Sequence, residues 1–168
     1  EYGLTLWDEL RETSREVNMI CSGAGAFESL RLEKGYRSLG SDIHTNTNPY
    51  ESGLGFTVKL KKDDDFIGKD VLSKIKEAPI QKKLACMVLE DPDGMALGTE
   101  PIYSDGKAVG YVTSTNYGYY VDKHIVYGYL PSELSSTGTK LELEYFGKRY
   151  PLTVTTEPLS DPENSRLK

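Results

Sequence analysis

From Lys82 onward the chain reads as a series of short extended segments punctuated by turn residues, and this pattern limits the fold more than any other feature. "KKLACMVLE", "PIYSDGKAVGYVTST", "HIVYGYL", "TKLELEYF" and "RYPLTVTTE" are rich in β-branched and aromatic residues, which pack well on a pleated surface. Asp105 and Gly106 supply the two φ > 0 residues that a type I′ hairpin turn requires. Gly147 and Lys148 join the last two segments. Five or six strands at such spacing predict a small barrel or sandwich.

Before Pro79 the texture is helical. In "EYGLTLWDELRETSREV", Leu4, Trp7 and Leu10 recur at three-residue spacing, as on one helix face. Gly23 and Gly25 break the pattern in "CSGAGAF". A second helix is predicted from Ala26 to Lys34, stopping at Gly35 as a C-cap glycine. "SDIHTNTNPYESGLG" reads as an ordered loop, and "FTVKL", Phe56 to Leu60, alternates like a half-buried strand. A helix from Lys69 to Glu77 is expected to turn Val71, Leu72 and Ile75 inward. The fold class is therefore α+β, with units at 1–80 and 81–160 and a polar tail, 161–168, lying along the surface.

Composition excludes several functions. A net charge of −6 over 168 residues argues against a general nucleic-acid binder. No apolar run approaches the roughly 20 residues of a membrane helix, so neither nucleic acid nor membrane is expected as a partner. Cys21 and Cys86 lie far apart in apolar surroundings and are expected to be buried free thiols in a reducing compartment. The opening at Glu1, on a helix boundary and without a signal-peptide pattern, predicts a piece of something longer.

Local chemistry is sparse. "SGAG" lacks the full phosphate-loop pattern and a preceding strand. His44 and His124 lie in different segments, neither with a ligand at metal spacing, so no metal site is expected. Asp63 to Asp65 read as a solvated turn before a helix N-terminus. The six tyrosines between Tyr111 and Tyr129 are expected to pack on the strands. In "AFESLRLEKGYRSLGSDI", Arg31, Glu33, Lys34 and Arg37 are set among Phe27, Leu30, Leu32, Tyr36 and Leu39. Arg31 and Glu33 are two apart and cannot face one direction on a helix, so each should have its own partner. The stretch reads as a core helix, with the Leu30–Leu32 helix packed on the second unit and its charges bracing that packing.

Several of these pieces occur in one order that identifies a family: "SLRLEKGYRSLGSDI", "NPYESGLGFTVKL", "DFIGKDVL", "AVGYVTST", "YGYLP" and the final "RLK". They resemble the C-terminal part of dimethylglycine oxidase, dimethylglycine dehydrogenase and sarcosine dehydrogenase and, more distantly, the aminomethyltransferase (T-protein) of the glycine cleavage system. The resemblance implies that residues 1–80 complete a folate-binding domain and that residues 81–160 form a small antiparallel β-barrel. It implies a two-site enzyme in which an FAD-bearing N-terminal half oxidises an N-methyl amine. The C-terminal half captures the one-carbon unit on tetrahydrofolate, giving 5,10-methylenetetrahydrofolate. The flavin half is then this chain's partner. No catalytic residue is expected here, because the family's aspartate and pterin-binding glutamate belong upstream of Glu1, and the chain alone should be inactive. Phe56 falls at the aromatic place that lines the family's pterin pocket, Phe27 at the place of its arginine, and Tyr36 near the same wall. The cytoplasm is the expected location, or the mitochondrial matrix in a eukaryote. The regulatory subunit of pyruvate dehydrogenase phosphatase resembles the same flavoenzymes, which keeps a non-catalytic role open beside that of a stand-alone aminomethyltransferase.

Overall fold

A computed structural model describes residues 1–167. Six strands form a closed barrel: β1 (Lys82–Leu89), β2 (Pro101–Ser104), β3 (Lys107–Gly118), β4 (Lys123–Pro131), β5 (Lys140–Tyr145) and β6 (Lys148–Thr155). Their order around the ring is β1-β4-β3-β2-β5-β6, and every pairing is antiparallel. Each strand has a neighbour on both sides, so the ring closes and satisfies the backbone groups that an open edge would leave exposed.

The two-residue period of the strands fills the lumen. Ala85, Met87 and Leu89 of β1 point inward with Val126 and Leu130 of β4, Leu141 and Leu143 of β5, and Leu152 and Val154 of β6. The alternate residues of β1 and β4 are buried as well. Leu84, Cys86, Ile125, Tyr127 and Tyr129 form a second cluster outside the barrel, closed by Leu32. Packing in the lumen is tight: a Cβ on Gly128 would stand 2.6 Å from the Tyr111 carbonyl oxygen and 2.8 Å from Ile102. Only a glycine admits that approach.

Asp105 and Gly106 take φ of 49° and 76°, as a type I′ turn demands. In the last hairpin the positive-φ pair is Phe146 and Gly147, one residue earlier than expected, and Lys148 already belongs to β6.

Three helices precede the barrel: α1 (Gly3–Thr13), α2 (Ala24–Glu33) and α3 (Lys69–Glu77). Helix α2 is anchored against β3 and the outer cluster, with Leu32 fully buried. The Leu30–Leu32 helix packs on the barrel as expected, though Leu30 itself is exposed and the buried face of α2 is carried by Ser29, Arg31, Leu32 and Glu33. Among the described residues no side chain of α1 or α3 is fully buried; Leu4, Trp7, Leu10 and Val71 are exposed, while Leu72 and Ile75 are half-buried. Val71 is thus not turned inward.

Two further expectations are corrected. Residues 56–60 form no strand; Gly55–Thr57 is a single 3-10 turn, with the Thr57 hydroxyl donating to the Leu54 carbonyl at 2.7 Å. Alternation makes a strand only where a neighbour offers a hydrogen-bond ladder, and every barrel strand is already paired on both sides. Cys21 is exposed, whereas Cys86 is buried. The apolar neighbours Met19 and Ile20 that suggested burial are themselves exposed. The tyrosines also divide: Tyr127 and Tyr129 are buried, while Tyr111, Tyr117, Tyr119 and Tyr120 lie at the surface.

Candidate functional site

The charges of α2 form a brace. Arg31 donates to Glu28 Oε2 at 2.8 and 2.6 Å, to Asp42 Oδ2 at 2.7 Å, to the Tyr36 carbonyl at 3.2 Å and to Ser114 Oγ at 2.8 Å. Asp42 also accepts from the Ser38 N–H at 2.9 Å and the Thr113 hydroxyl at 2.5 Å. Glu33 accepts separately from the Tyr120 N–H at 2.8 Å. Arg31 and Glu33 have different partners, as their spacing requires, and together they pin helix and loop to β3 and the turn that follows it.

Beyond the brace, the end of α2, the loop at 52–56 and the segment leaving β6 enclose a cleft of about 570 Å³. That is within the size of small-molecule sites. Tyr36 and Phe56 both line it, each with more than half of its surface exposed. Phe27 does not; it lies in the first turns of α2 with its ring in solvent. Two of the three residues singled out from the sequence therefore meet in one cleft.

Arg37 holds that cleft together. Its Nε donates to the Ser52 carbonyl at 3.0 Å, Nη1 to the Gly35 carbonyl, and Nη2 to Glu157 Oε1 at 2.5 Å. One guanidinium, with its side chain 12% exposed, thus ties the helix end, the loop and the C-terminal segment. Such a planar fork of donors suits three acceptors in one plane. Gly35, at φ 74°, admits the close approach: a Cβ there would stand 3.3 Å from Tyr127 Oη and 3.4 Å from Pro158.

Beneath this floor lie Tyr127 and Cys86. Burial pushes the Cys86 thiol up to about 12 and the Tyr127 phenol far above its usual range, so both are neutral at physiological pH. Tyr127 Oη has no hydrogen-bond partner among the described residues. The charges at the cleft belong to groups largely engaged with one another: Arg37 with Glu157, and Lys34 with Asp161 at 3.0 Å. What remains available is the faces of two aromatic rings beside hydrogen-bonding groups, an arrangement able to hold a flat, partly polar molecule.

Arg37 reads from the sequence as one of the bracing charges but not as a cleft residue, and Glu157 is not singled out at all. Arg37 offered one local signal, a charge between a helix-ending glycine and an ordered loop. Glu157 offered none, since its partner is 120 residues away.

A helical segment braced on a closed six-stranded barrel, with a cleft at the seam, is an aminomethyltransferase-type fold. The crystal structure of the glycine cleavage system aminomethyltransferase T from Bartonella henselae superposes with a TM-score of 0.80 over 95% of this chain and 44% of that one, at 24% identity. Residues 82–161 match the glycine cleavage T-protein C-terminal barrel domain, and residues 1–62 match the GCVT N-terminal domain. The chain belongs to the glycine cleavage T-protein family. It is 38% identical to the mitochondrial dimethylglycine dehydrogenase of Mus musculus over 99% of its own length and 19% of that protein's. It is also 38% identical to the aminomethyltransferase of Prochlorococcus marinus (strain NATL1A), over 88% of this chain and 41% of the other. The chain therefore spans about a fifth of the dehydrogenase and two fifths of the transferase.

Proposed function

We propose that the chain is the folate-side module of an FAD-dependent enzyme that oxidises dimethylglycine, sarcosine or a related N-methyl amine. The observation that carries the reading is the convergence of Tyr36 and Phe56 on one cleft that Arg37 holds together. The residues fit the ring end of a reduced folate: two aromatic faces can stack on a pterin, and the cleft volume of about 570 Å³ admits it. When bound, tetrahydrofolate supplies the amine nitrogens that take up the one-carbon unit as 5,10-methylenetetrahydrofolate. Phe56 and Tyr36 orient the ring, Arg37 keeps the walls at their spacing, and the neutral Tyr127 and Cys86 add no competing charge beneath it. The flavin chemistry is assigned to a further part of the polypeptide, which the exposed apolar side chains of α1 would contact, and the chain alone neither binds flavin nor oxidises amines. The cytoplasm is the proposed location, with the mitochondrial matrix the alternative; no helix of the described residues is long and apolar enough to cross a membrane.

The similarity to an aminomethyltransferase over 88% of the chain supports a second reading, a stand-alone transferase. The encoding gene separates the two: a dinucleotide-binding glycine motif upstream of Glu1 supports the flavoenzyme, and its absence supports the transferase. Calorimetric titration of folinic acid into the longest encoded polypeptide tests the shared part. Binding that weakens in Phe56→Ala and in Tyr36→Ala is expected, and no binding to the unmodified protein overturns the folate reading.

A further inference from the structure

One wall of the cleft is not built from the helical half at all. Glu157, Pro158, Pro162 and Asn164 belong to the segment that follows β6 and runs back over the end of α2. That segment buries little apolar surface; its largest apolar anchor is Leu159, partly buried against the outer cluster. Its course is set by polar contacts. The Ser160 N–H donates to the Glu33 carbonyl at 2.9 Å. Lys34 Nζ donates to both the carbonyl oxygen and the carboxylate of Asp161, at 2.5 and 3.0 Å. Asp161 also accepts from the Ser165 N–H at 2.8 Å, the Ser165 hydroxyl at 2.7 Å and the Arg166 N–H at 3.3 Å. It folds the last turn of the segment and anchors that turn to α2. The side chains of Lys34 and Asp161 are 15% and 10% exposed, so this is a sheltered pair and not a solvated surface contact.

We propose that Lys34 and Asp161 are the positioning pair of the cleft: they hold residues 157–167 in place as a wall, so ligand affinity depends on a contact that stacks on nothing. The choice of folate as probe rests on the function proposed above; the role of the pair in holding the wall does not. An aromatic ring seated between Phe56, Tyr36 and this wall loses one side of its enclosure when the pair is broken. The brace at Arg31 and the barrel lumen stay intact, because neither shares an atom with Lys34 or Asp161.

The test uses the longest polypeptide the gene encodes, with Lys34→Met, Asp161→Asn and the conservative Lys34→Arg. Hydrogen exchange of residues 157–167, affinity for folinic acid and the melting temperature are read together. In Lys34→Met and Asp161→Asn, exchange of 157–167 is expected to rise about tenfold and affinity to fall about tenfold. Exchange in β1 and β4 and the melting temperature should be unchanged, and Lys34→Arg should recover most of both losses. Unchanged exchange in 157–167 overturns the proposal, and so does faster exchange with undiminished affinity. If the unmodified protein does not bind folinic acid, the folate reading falls, and the pair then stands or falls on the exchange of 157–167 alone. A general fall in melting temperature with uniformly faster exchange would mark Lys34 as a plain stability residue and also overturn it.

Discussion

Arg31 and Asp42 meet at 2.7 Å with 7% and 1% of their side chains exposed. Neither charge has water to fall back on, and each is satisfied by several protein groups at once. Removing Arg31 strands the buried Asp42 carboxylate, at a cost of about 3–5 kcal/mol, whereas Arg31 keeps Glu28 when Asp42 is removed. Arg31→Met is expected to lower the unfolding free energy by that order in urea titration, and Asp42→Ala by less. The double variant should cost clearly less than the sum. Strictly additive costs would show that the two residues are not coupled.

Phe56 offers a separation of ligand from fold. Its ring is 72% exposed, so truncation opens no cavity. Phe56→Ala should therefore change stability by no more than about 0.5 kcal/mol, the usual range for surface positions. Loss of a stacking face should weaken folinic acid by roughly tenfold or more, by analogy with the 1–3 kcal/mol of base–aromatic stacking. A large fall in melting temperature with unchanged affinity in the folded protein would remove Phe56 from the site.

The two cysteines should differ sharply in reactivity. The thiolate is the nucleophile, and burial raises Cys86 to about 12, so it stays protonated at pH 8. Cys21 is exposed. Brief iodoacetamide treatment at pH 8 followed by mass spectrometry should find one label, on Cys21, with the second appearing only in denaturant. Rapid labelling of Cys86 in the native protein would contradict its placement between barrel and helix.

The C-terminal segment should resist acid. Hydrogen bonding from the Ser165 hydroxyl, then from Lys34 and the backbone N–H groups of Ser165 and Arg166, holds the Asp161 carboxyl well below its ordinary value of 3.8, against a smaller opposing effect of desolvation. A depressed native pKa gives stability that is present above the unfolded value and lost as pH falls through the native one. Protection of residues 157–167, corrected for the intrinsic pH dependence of exchange, should stay level from about pH 8 to 5 and decline only below about 4. A transition near pH 6 would assign the anchoring to another group.

The barrel was legible because its signals are local. Alternation in "TKLELEYF" and the Asp105–Gly106 pair each report on their immediate neighbours, and the hairpins follow. Residues 56–60 alternate just as well, yet no free strand stands beside them, and a missing partner leaves no mark in a short window. The apolar spacing of α1 was readable; what it faces was not, because none of the described residues packs on it. Cys21 was misplaced for a related reason, since apolar neighbours imply burial only if something covers them. At the site, Tyr36 and Phe56 came from resemblance and share a cleft, whereas Phe27 stands apart. Arg37 was legible as a bracing charge but its partner Glu157 was not, because what joins them is a fold that closes across 120 residues.

That long closure also bears on the order in which the molecule is made. Asp161 and Glu157 leave the ribosome 127 and 120 residues after their partners Lys34 and Arg37. The barrel strands have emerged before the final wall arrives, and domains generally fold as units during synthesis. A nascent chain paused once β6 has emerged would hold a folded barrel, a braced helix and an open groove. The cleft cannot enclose a ligand until residues 157–167 have emerged as well.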